Sequence, residues 1–172
     1  NANVLATLQN LVGEEHFSEG FAQAAREVRL NASSCQVYMG MKAHVRLPMI
    51  GDLIFTSRDP SYDDESIFSP EVRSQTFSVY YPDMRPDVRE ARYAVVSSSN
   101  ARYADWANLD EAAYEGRKRH LIERAISGLE ELVPGVRDMI DWAEAATPLT
   151  VEHYTRLPGG TSFGTKFEGL PI

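Results

Sequence analysis

The chain has 172 residues, 43% of them apolar and 24% charged, and its 17 basic and 25 acidic side chains leave a formal net charge of −8. This length suits one globular domain that buries roughly 70% of its unfolded surface, and the acidic balance argues against non-specific binding to nucleic acid or anionic membranes. No apolar run reaches the roughly 20 residues of a membrane span and no signal peptide is present, so the sequence predicts a cytoplasmic protein.

Two helices are predicted at the start. Apolar residues recur at helical spacing over 4–12, and Gly13 is a fitting stop. Ser18 is a suitable N-cap for a second helix, and the helical period places four apolar side chains on its buried face: Phe21, Ala24, Ala25 and Val28.

Four segments then show the alternation of apolar and polar residues that is typical of strands. They cover 35–41, 53–56, 75–81 and 92–98. In the third segment, Phe77, Val79 and Tyr81 are predicted to face one way. The acidic stretch 62–70 and the turn-rich stretch 84–90 are predicted to connect strands.

The clearest predicted helix covers 110–133, where apolar residues recur at spacings of three, four and seven and Pro134-Gly135 ends the pattern. Gly128 inside it indicates close packing, because glycine costs about 1 kcal/mol relative to alanine there. One or two helical turns are predicted over 136–142 and a short strand over 143–146. These elements predict an α+β domain whose mainly antiparallel sheet has about four to six strands.

Several short motifs follow one another in a fixed order. They are the segment LVGEEHFSEGFAQAAREVRLNASSCQVYMGM, Tyr114 with Lys118, Leu129-Glu130 before Pro134-Gly135, the turn Thr147-Pro148-Leu149-Thr150, and the loop from Gly160 to Gly164. In order and spacing they resemble the late part of the FAD-dependent phytoene desaturase, carotenoid isomerase and retinol saturase family.

The resemblance implies that 1–172 is a single domain, the substrate-binding part of a larger flavoenzyme related to phytoene dehydrogenases. The parent would be an oxidoreductase that transfers hydride between FAD and an apolar polyene or isoprenoid. No G-x-G-x-x-G opens a strand–helix unit in this chain, so the Rossmann part is expected elsewhere. The chain alone is therefore expected to bind no FAD and to be inactive, while peripheral membrane contact is an expectation for the parent enzyme.

Two groups of candidate site residues follow. The resemblance implies a cofactor-facing loop, with the alternative of a plain surface turn, at Gly159, Gly160, Thr161 and Gly164. Substrate-lining side chains, for which ordinary core packing is the alternative explanation, are predicted at Tyr38, Phe55, Phe77, Tyr81 and His153. No catalytic residue is identified, and two non-catalytic alternatives stay open: a stand-alone domain for apolar ligands, or an association domain that forms a homodimer.

The sequence gives little support for a hydrolase triad, a metal site or a reactive cysteine. The match to G-x-S-x-G at 160–164 lacks the strand before the serine, and no aspartate or histidine follows it, which excludes a hydrolase triad. The four histidines show no metal-ligand spacing, so no metal site is predicted. Cys35, the single cysteine, is predicted to be a core residue.

Overall fold

The computed structural model describes residues 3–60, 63–84, 92–162 and 164–166. Its α-helices in these ranges are α1 (Val4–Ala6), α2 (Glu19–Arg26), α3 (Asp64–Ile67), α4 (Ala104–Ala107), α5 (Glu111–Leu132) and α6 (Pro148–Thr155). Its strands are β1 (Ser33–Met41), β2 (Leu53–Ser57), β3 (Ser74–Tyr80), β4 (Ala94–Ala101) and β5 (Ile140–Ala146). This composition confirms the predicted α+β class and its one long helix.

The strands form one antiparallel sheet in the order β2-β3-β4-β1-β5. Tyr38 of β1 pairs with Val96 on one side and with Glu144 of β5 on the other. On β3, Phe77 lies opposite Ser97 of β4 and Ile54 of β2. Because successive side chains of a strand point to opposite faces, residues paired across the sheet share a face.

The predicted strands lie where expected, with small shifts at their ends, but one connection was assigned wrongly. The segment 136–142 is not helical throughout, since only Val136–Met139 forms a 3₁₀ turn and β5 begins at Ile140. Pairing with the edge of β1 decides this, because Asp, Ala and Glu have little strand preference of their own. The acidic connection 62–70 contains α3, capped by Asp63, whereas most of 84–90 lies outside the described residues.

The N-terminal helices are present, but of the four residues predicted for one face of the second helix only Ala25 is buried. After α1 the chain continues as a π-helix over Thr7–Val12, and Gly13 ends it at φ +98°. Ser18 caps α2 as predicted, its Oγ accepting from the Phe21 amide at 3.3 Å. The buried residues of α2 are Ala22 and Ala25, while Phe21 stays half-exposed and stacks on Phe17.

The core lies between α5 and one face of the sheet. Odd-numbered residues of the central strands supply one side of it, among them Val37, Met39, Phe77, Val79 and Val95. The facing side chains of α5 include Leu121, Ala125 and Leu129, all buried. Phe77 and Val79 thus face one way as predicted, and the burial of apolar side chains fixes which face of the sheet turns inward.

Helix α5 comes very close to the sheet at Gly128, as predicted. A Cβ at this position would lie 2.1 Å from Nε2 of Gln75 and 3.1 Å from Cζ of Phe77. Gln75 is buried and its Oε1 accepts a hydrogen bond from Ser97 at 3.0 Å, so its amide cannot move without losing that bond. The absence of a side chain at Gly128 therefore sets the distance between helix and sheet.

Two glycines of α5 are expected to respond to alanine in opposite directions. Gly128→Ala should lower the free energy of unfolding by about 1–3 kcal/mol, because overpacking outweighs the gain in helix propensity. At Gly116 the nearest atom to a new Cβ is Arg119 Nη2 at 3.8 Å. Gly116→Ala should therefore raise the stability by about 0.5–1 kcal/mol. Urea unfolding followed by circular dichroism measures both, and a stabilised Gly128→Ala would contradict the close contact.

Candidate functional site

The face of the sheet opposite α5 carries a group of solvent-exposed apolar side chains. We call this surface the open face and define it by the exposed Leu53, Phe55, Tyr80, Tyr38 and Trp142, together with the half-buried Val96 and the charged Glu144 between them. Phe55 is 75% exposed, Leu53 54% and Trp142 53%. Strand register brings these residues together from all five strands. Large exposed apolar patches of this kind mark sites of interaction with a ligand or a partner.

The open face changes in polarity along the strand direction. Its central register row runs Leu53, Ser78, Val96, Tyr38 and Glu144 from one edge to the other. The adjacent row toward the start of β1 is mostly polar and contains Phe55, Thr76, Ser98 and Gln36. The adjacent row toward the end of β1 is aromatic and contains Tyr80, Ala94, Gly40 and Trp142.

The indole ring of Trp142 lies over Gly40 of β1. Trp142 is paired with Gly40, and a Cβ on Gly40 would lie 2.3 Å from Nε1 and 2.6 Å from Cε2 of the indole. Glycine therefore creates the space that the ring occupies, and the outer surface of the ring remains exposed. A rigid aromatic surface held in this way suits stacking against a flat, apolar ligand.

The predicted substrate-lining residues divide between the two faces of the sheet. Tyr38 and Phe55 lie on the open face, where the Tyr38 hydroxyl donates to Oε1 of Gln36. Phe77 and Tyr81 are buried in the core instead, at 0% and 4% exposure. Phe77 and Tyr81 are each two residues from the buried Val79, so the alternation along β3 turns both side chains toward the core. Core packing therefore accounts for these two aromatics.

Tyr81 has a further structural role through its hydroxyl group. The oxygen accepts from the Ile50 amide at 3.1 Å and lies 3.2 Å and 3.1 Å from the carbonyl oxygens of Pro48 and Gly51. Its ring packs edge-on against Tyr93 at 5.9 Å. Tyr81 thereby fixes the connection between β1 and β2 from inside the domain.

His153 lies on the exposed side of α6. Its ring meets Tyr154 edge-on with 4.9 Å between the ring centroids, and both side chains face solvent. The geometry places it beside another exposed aromatic, and no other described residue forms a hydrogen bond that would orient its ring. Its predicted role toward a substrate stays a prediction.

Two residues of the glycine-rich loop, Gly160 and Thr161, are packed inside the protein. The Gly160 carbonyl accepts from the Ser33 hydroxyl, and Thr161 forms a β-bridge with Ser33 and is fully buried. The Thr161 hydroxyl donates to the Gly164 carbonyl at 3.0 Å. A cofactor contact at Gly160 or Thr161 would require the loop to leave this position.

The other two predicted loop residues are more open. No atom of the described residues lies within 4 Å of a Cβ built on Gly159 or on Gly164, both of which have positive φ. The Gly159 amide donates to Glu152 at 3.0 Å, and the other oxygen of Glu152 accepts from the Tyr103 hydroxyl. This hydrogen bond to the carboxylate raises the pKa of Tyr103 above its usual value. Glu152 thus ties α4, α6 and the loop together.

Two of the motifs that resemble the family also stabilise local structure, one at the start of α6 and one after α5. Thr147 and Thr150 form a capping box at the start of α6, where Pro148 occupies the first turn. The Glu130 carboxylate accepts from the amides of Gly135 at 2.6 Å and Arg137 at 3.0 Å, which orders the turn after α5. These hydrogen bonds lower the pKa of Glu130, and the one from the Arg137 amide has the largest effect.

Cys35 lies in the core, as predicted, and burial raises the pKa of its thiol to about 12. A neutral buried thiol is a poor nucleophile and a poor metal ligand. Within the described ranges, no group of three or more His, Cys, Asp or Glu side chains is arranged to hold a metal ion.

None of the helices in the described part of the chain combines the length and the apolar composition of a membrane-spanning segment.

Sequence reasoning missed Leu53, Val96 and Trp142 as members of the open face. Leu53 is two residues from Phe55, so the alternation of β2 places both on the same face, opposite Ile54. Trp142 was hidden because its segment was predicted to be helical. Only the pairing of β5 with β1 brings its ring over Gly40.

Comparison with known proteins gives one distant relationship. No protein-family model matches the chain. Over 110 residues it is 26% identical to the all-trans-retinol 13,14-reductase of Danio rerio, an alignment that covers 61% of this chain and 17% of that protein. The chain thus spans a small part of this relative's length. The similarity is consistent with the saturase and desaturase resemblance and points to an oxidoreductase-related domain.

Proposed function

We propose that this chain is the substrate-side domain of an FAD-dependent oxidoreductase of the desaturase, isomerase or saturase type. Its open face would form one wall of a cleft for an apolar polyene or isoprenoid. The observation that carries this proposal is the group of exposed aromatic and aliphatic side chains on the face opposite α5. The distant similarity to a retinol reductase supports the same class of substrate.

The open face has the physical properties that such a role requires. A polyene is long, flat and apolar, so it gains free energy by stacking on rings and by displacing water from them. Phe55 and Leu53 at one edge and Trp142 at the other place apolar surface across the whole width of the sheet. Strand pairing sets the backbone positions from which these side chains project, so binding does not have to order the backbone.

The proposal assigns the flavin no contact with the open face. In an enzyme of this type the flavin accepts or donates hydride. Gly160 and Thr161, which the resemblance assigned to the flavin, are already engaged with Ser33 and Gly164. The residues described here therefore enter the proposal through substrate binding and the exclusion of water.

The proposal predicts that the protein binds all-trans-retinol through the open face. Phe55→Ala should weaken this binding roughly tenfold, because burying one aromatic side chain contributes about 1.5–3 kcal/mol. Phe21→Ala is the matched control, since Phe21 is also exposed but lies on α2. Titration of retinol fluorescence, with light scattering to follow the oligomeric state, gives the affinities.

Equal affinities for the two phenylalanine variants would reject the open face as the retinol site. If retinol does not bind and the protein forms a tight dimer that Phe55→Arg dissociates, the open face is an association surface instead.

A further inference from the structure

A cationic cleft lies at the end of the sheet where β1 finishes and β4 begins. It has a volume of about 550 Å³, and Lys42, His44, Arg46, Asp83, Arg92 and Tyr93 are among its lining residues. This volume falls in the range of roughly 300–1,000 Å³ that is common for small-ligand sites. Among the described residues that line the cleft, three side chains are cationic and one is acidic, although the whole chain carries a net charge of −8. The described lining of the cleft is therefore net positive, whereas the protein as a whole is net negative.

The cleft continues the open face along the strand direction. Gly40 pairs with Ala94, and the Met41 amide donates to the Tyr93 carbonyl at 3.0 Å. Continuing this register past the ends of the two strands places Lys42 opposite Arg92. By strand alternation they fall on the side of Gly40, which Trp142 covers. Two residues along a strand span roughly 7 Å. The cations thus follow directly after the aromatic row of the open face.

The cations of the cleft are only loosely compensated. The Lys42 ammonium donates to the Asp138 carbonyl at 2.7 Å, a neutral acceptor that leaves its charge in place. Arg46 and Asp83 are 3.9 Å apart, with side chains 81% and 71% exposed. Arg92 pairs with Asp141 at 3.0 Å, and both are about half exposed. Exposed pairs of this kind contribute about 0–1 kcal/mol, so an anion can compete for these cations.

We infer that the cleft binds the anionic head of an amphipathic ligand, a carboxylate or a phosphate, whose apolar chain lies across the aromatic row of the open face. The inference rests on the proposed function and narrows its substrate class from apolar polyenes in general to those with one acidic end. Opposed cations such as Lys42 and Arg92 repel each other, and an anion between them removes that repulsion. Guanidinium groups also suit the two oxygens of a carboxylate or phosphate.

All-trans-retinoic acid and all-trans-retinol test the inference, because they share a polyene and differ in the head group. Retinoate should bind about five- to tenfold more tightly at low salt, the gain of a charge-assisted contact at a partly exposed site. Raising the ionic strength from about 0.02 M to about 0.5 M should remove most of this difference, since exposed charges are screened. Arg46→Gln should weaken retinoate binding about three- to fivefold and leave retinol unchanged.

Arg119→Gln is the matched control, because it removes the same charge from the exposed surface of α5. Equal affinities for the two ligands, with no effect of Arg46→Gln, would overturn the inference while leaving the open face as a retinol site. Failure of both ligands to bind would reject the proposed function as well. If Arg46→Gln weakens binding to phosphatidylserine vesicles but not to retinoate, the cleft recognises a lipid surface, which also overturns the inference.

Discussion

Gly160→Ala is expected to lower the free energy of unfolding by about 4 kcal/mol or more, a loss that single substitutions reach only when they break a specific structural feature. A Cβ on Gly160 would lie 2.0 Å from the Pro148 carbonyl oxygen and 2.8 Å from its carbonyl carbon. Both atoms belong to the backbone at the start of α6, so neither can rotate away. The backbone of Gly160 also has φ +55°, which adds about 1–2 kcal/mol of strain for alanine.

Gly159→Ala is the matched control for this result. Gly159 has nearly the same φ, +63°, but within the described part of the chain no atom lies within 4 Å of a built Cβ. Alanine there should cost only the strain of about 1–2 kcal/mol. Guanidinium unfolding of both variants measures the difference, and losses of equal size would mean that the loop does not dock against Pro148.

The difference in packing between Gly160 and Gly159 determines which variants can test the predicted cofactor contact of this loop. A substitution at Gly160 disrupts the packing of the loop whether or not a flavin lies nearby. Gly159 and Gly164 leave space for a side chain, so variants at these two positions change the exposed surface of the loop with less damage to the fold.

Phe77→Ala and Phe55→Ala should lower the free energy of unfolding by very different amounts, although the two residues lie on adjacent strands, β3 and β2. Phe77 is fully buried, and its truncation should cost about 3–5 kcal/mol because the removed ring leaves a cavity against α5. Phe55 is 75% exposed, and its truncation should change the stability by less than about 0.5 kcal/mol. Thermal unfolding of both variants measures this difference.

A large loss of stability for Phe55→Ala would show that the open face is covered by another part of the protein. An unchanged stability would allow the retinol titration with this variant to report on binding alone.

Much of the fold follows from local patterns in the sequence. The helix Glu111–Leu132 has a long apolar period, an N-cap at Asp110 and a Pro-Gly stop, and each signal acts within a few residues. The central strands also carry alternation that is strong enough to place Phe77 and Val79 on the same side. The close approach at Gly128 was visible for a similar reason, because glycine in a helix interior has a local cost.

The candidate site depended on contacts between distant parts of the chain. The sequence could name Tyr38 and Phe55 as candidates but could not separate them from Phe77 and Tyr81, because the face of each strand depends on where α5 packs. Trp142 joined the open face only through the pairing of β5 with β1.

The role of the glycine-rich loop was decided in the same way. Positive φ at Gly159, Gly160 and Gly164 could be expected from residue type, since glycine tolerates this conformation. Whether the loop packs inward or faces outward depends on Ser33 and Pro148, which are distant in sequence and adjacent in space. Local propensities act over a few residues, whereas burial depends on which surfaces meet. The sequence therefore determined the long helix and the central strands, and only the tertiary structure decided where β5 begins and which side chains remain exposed for a ligand.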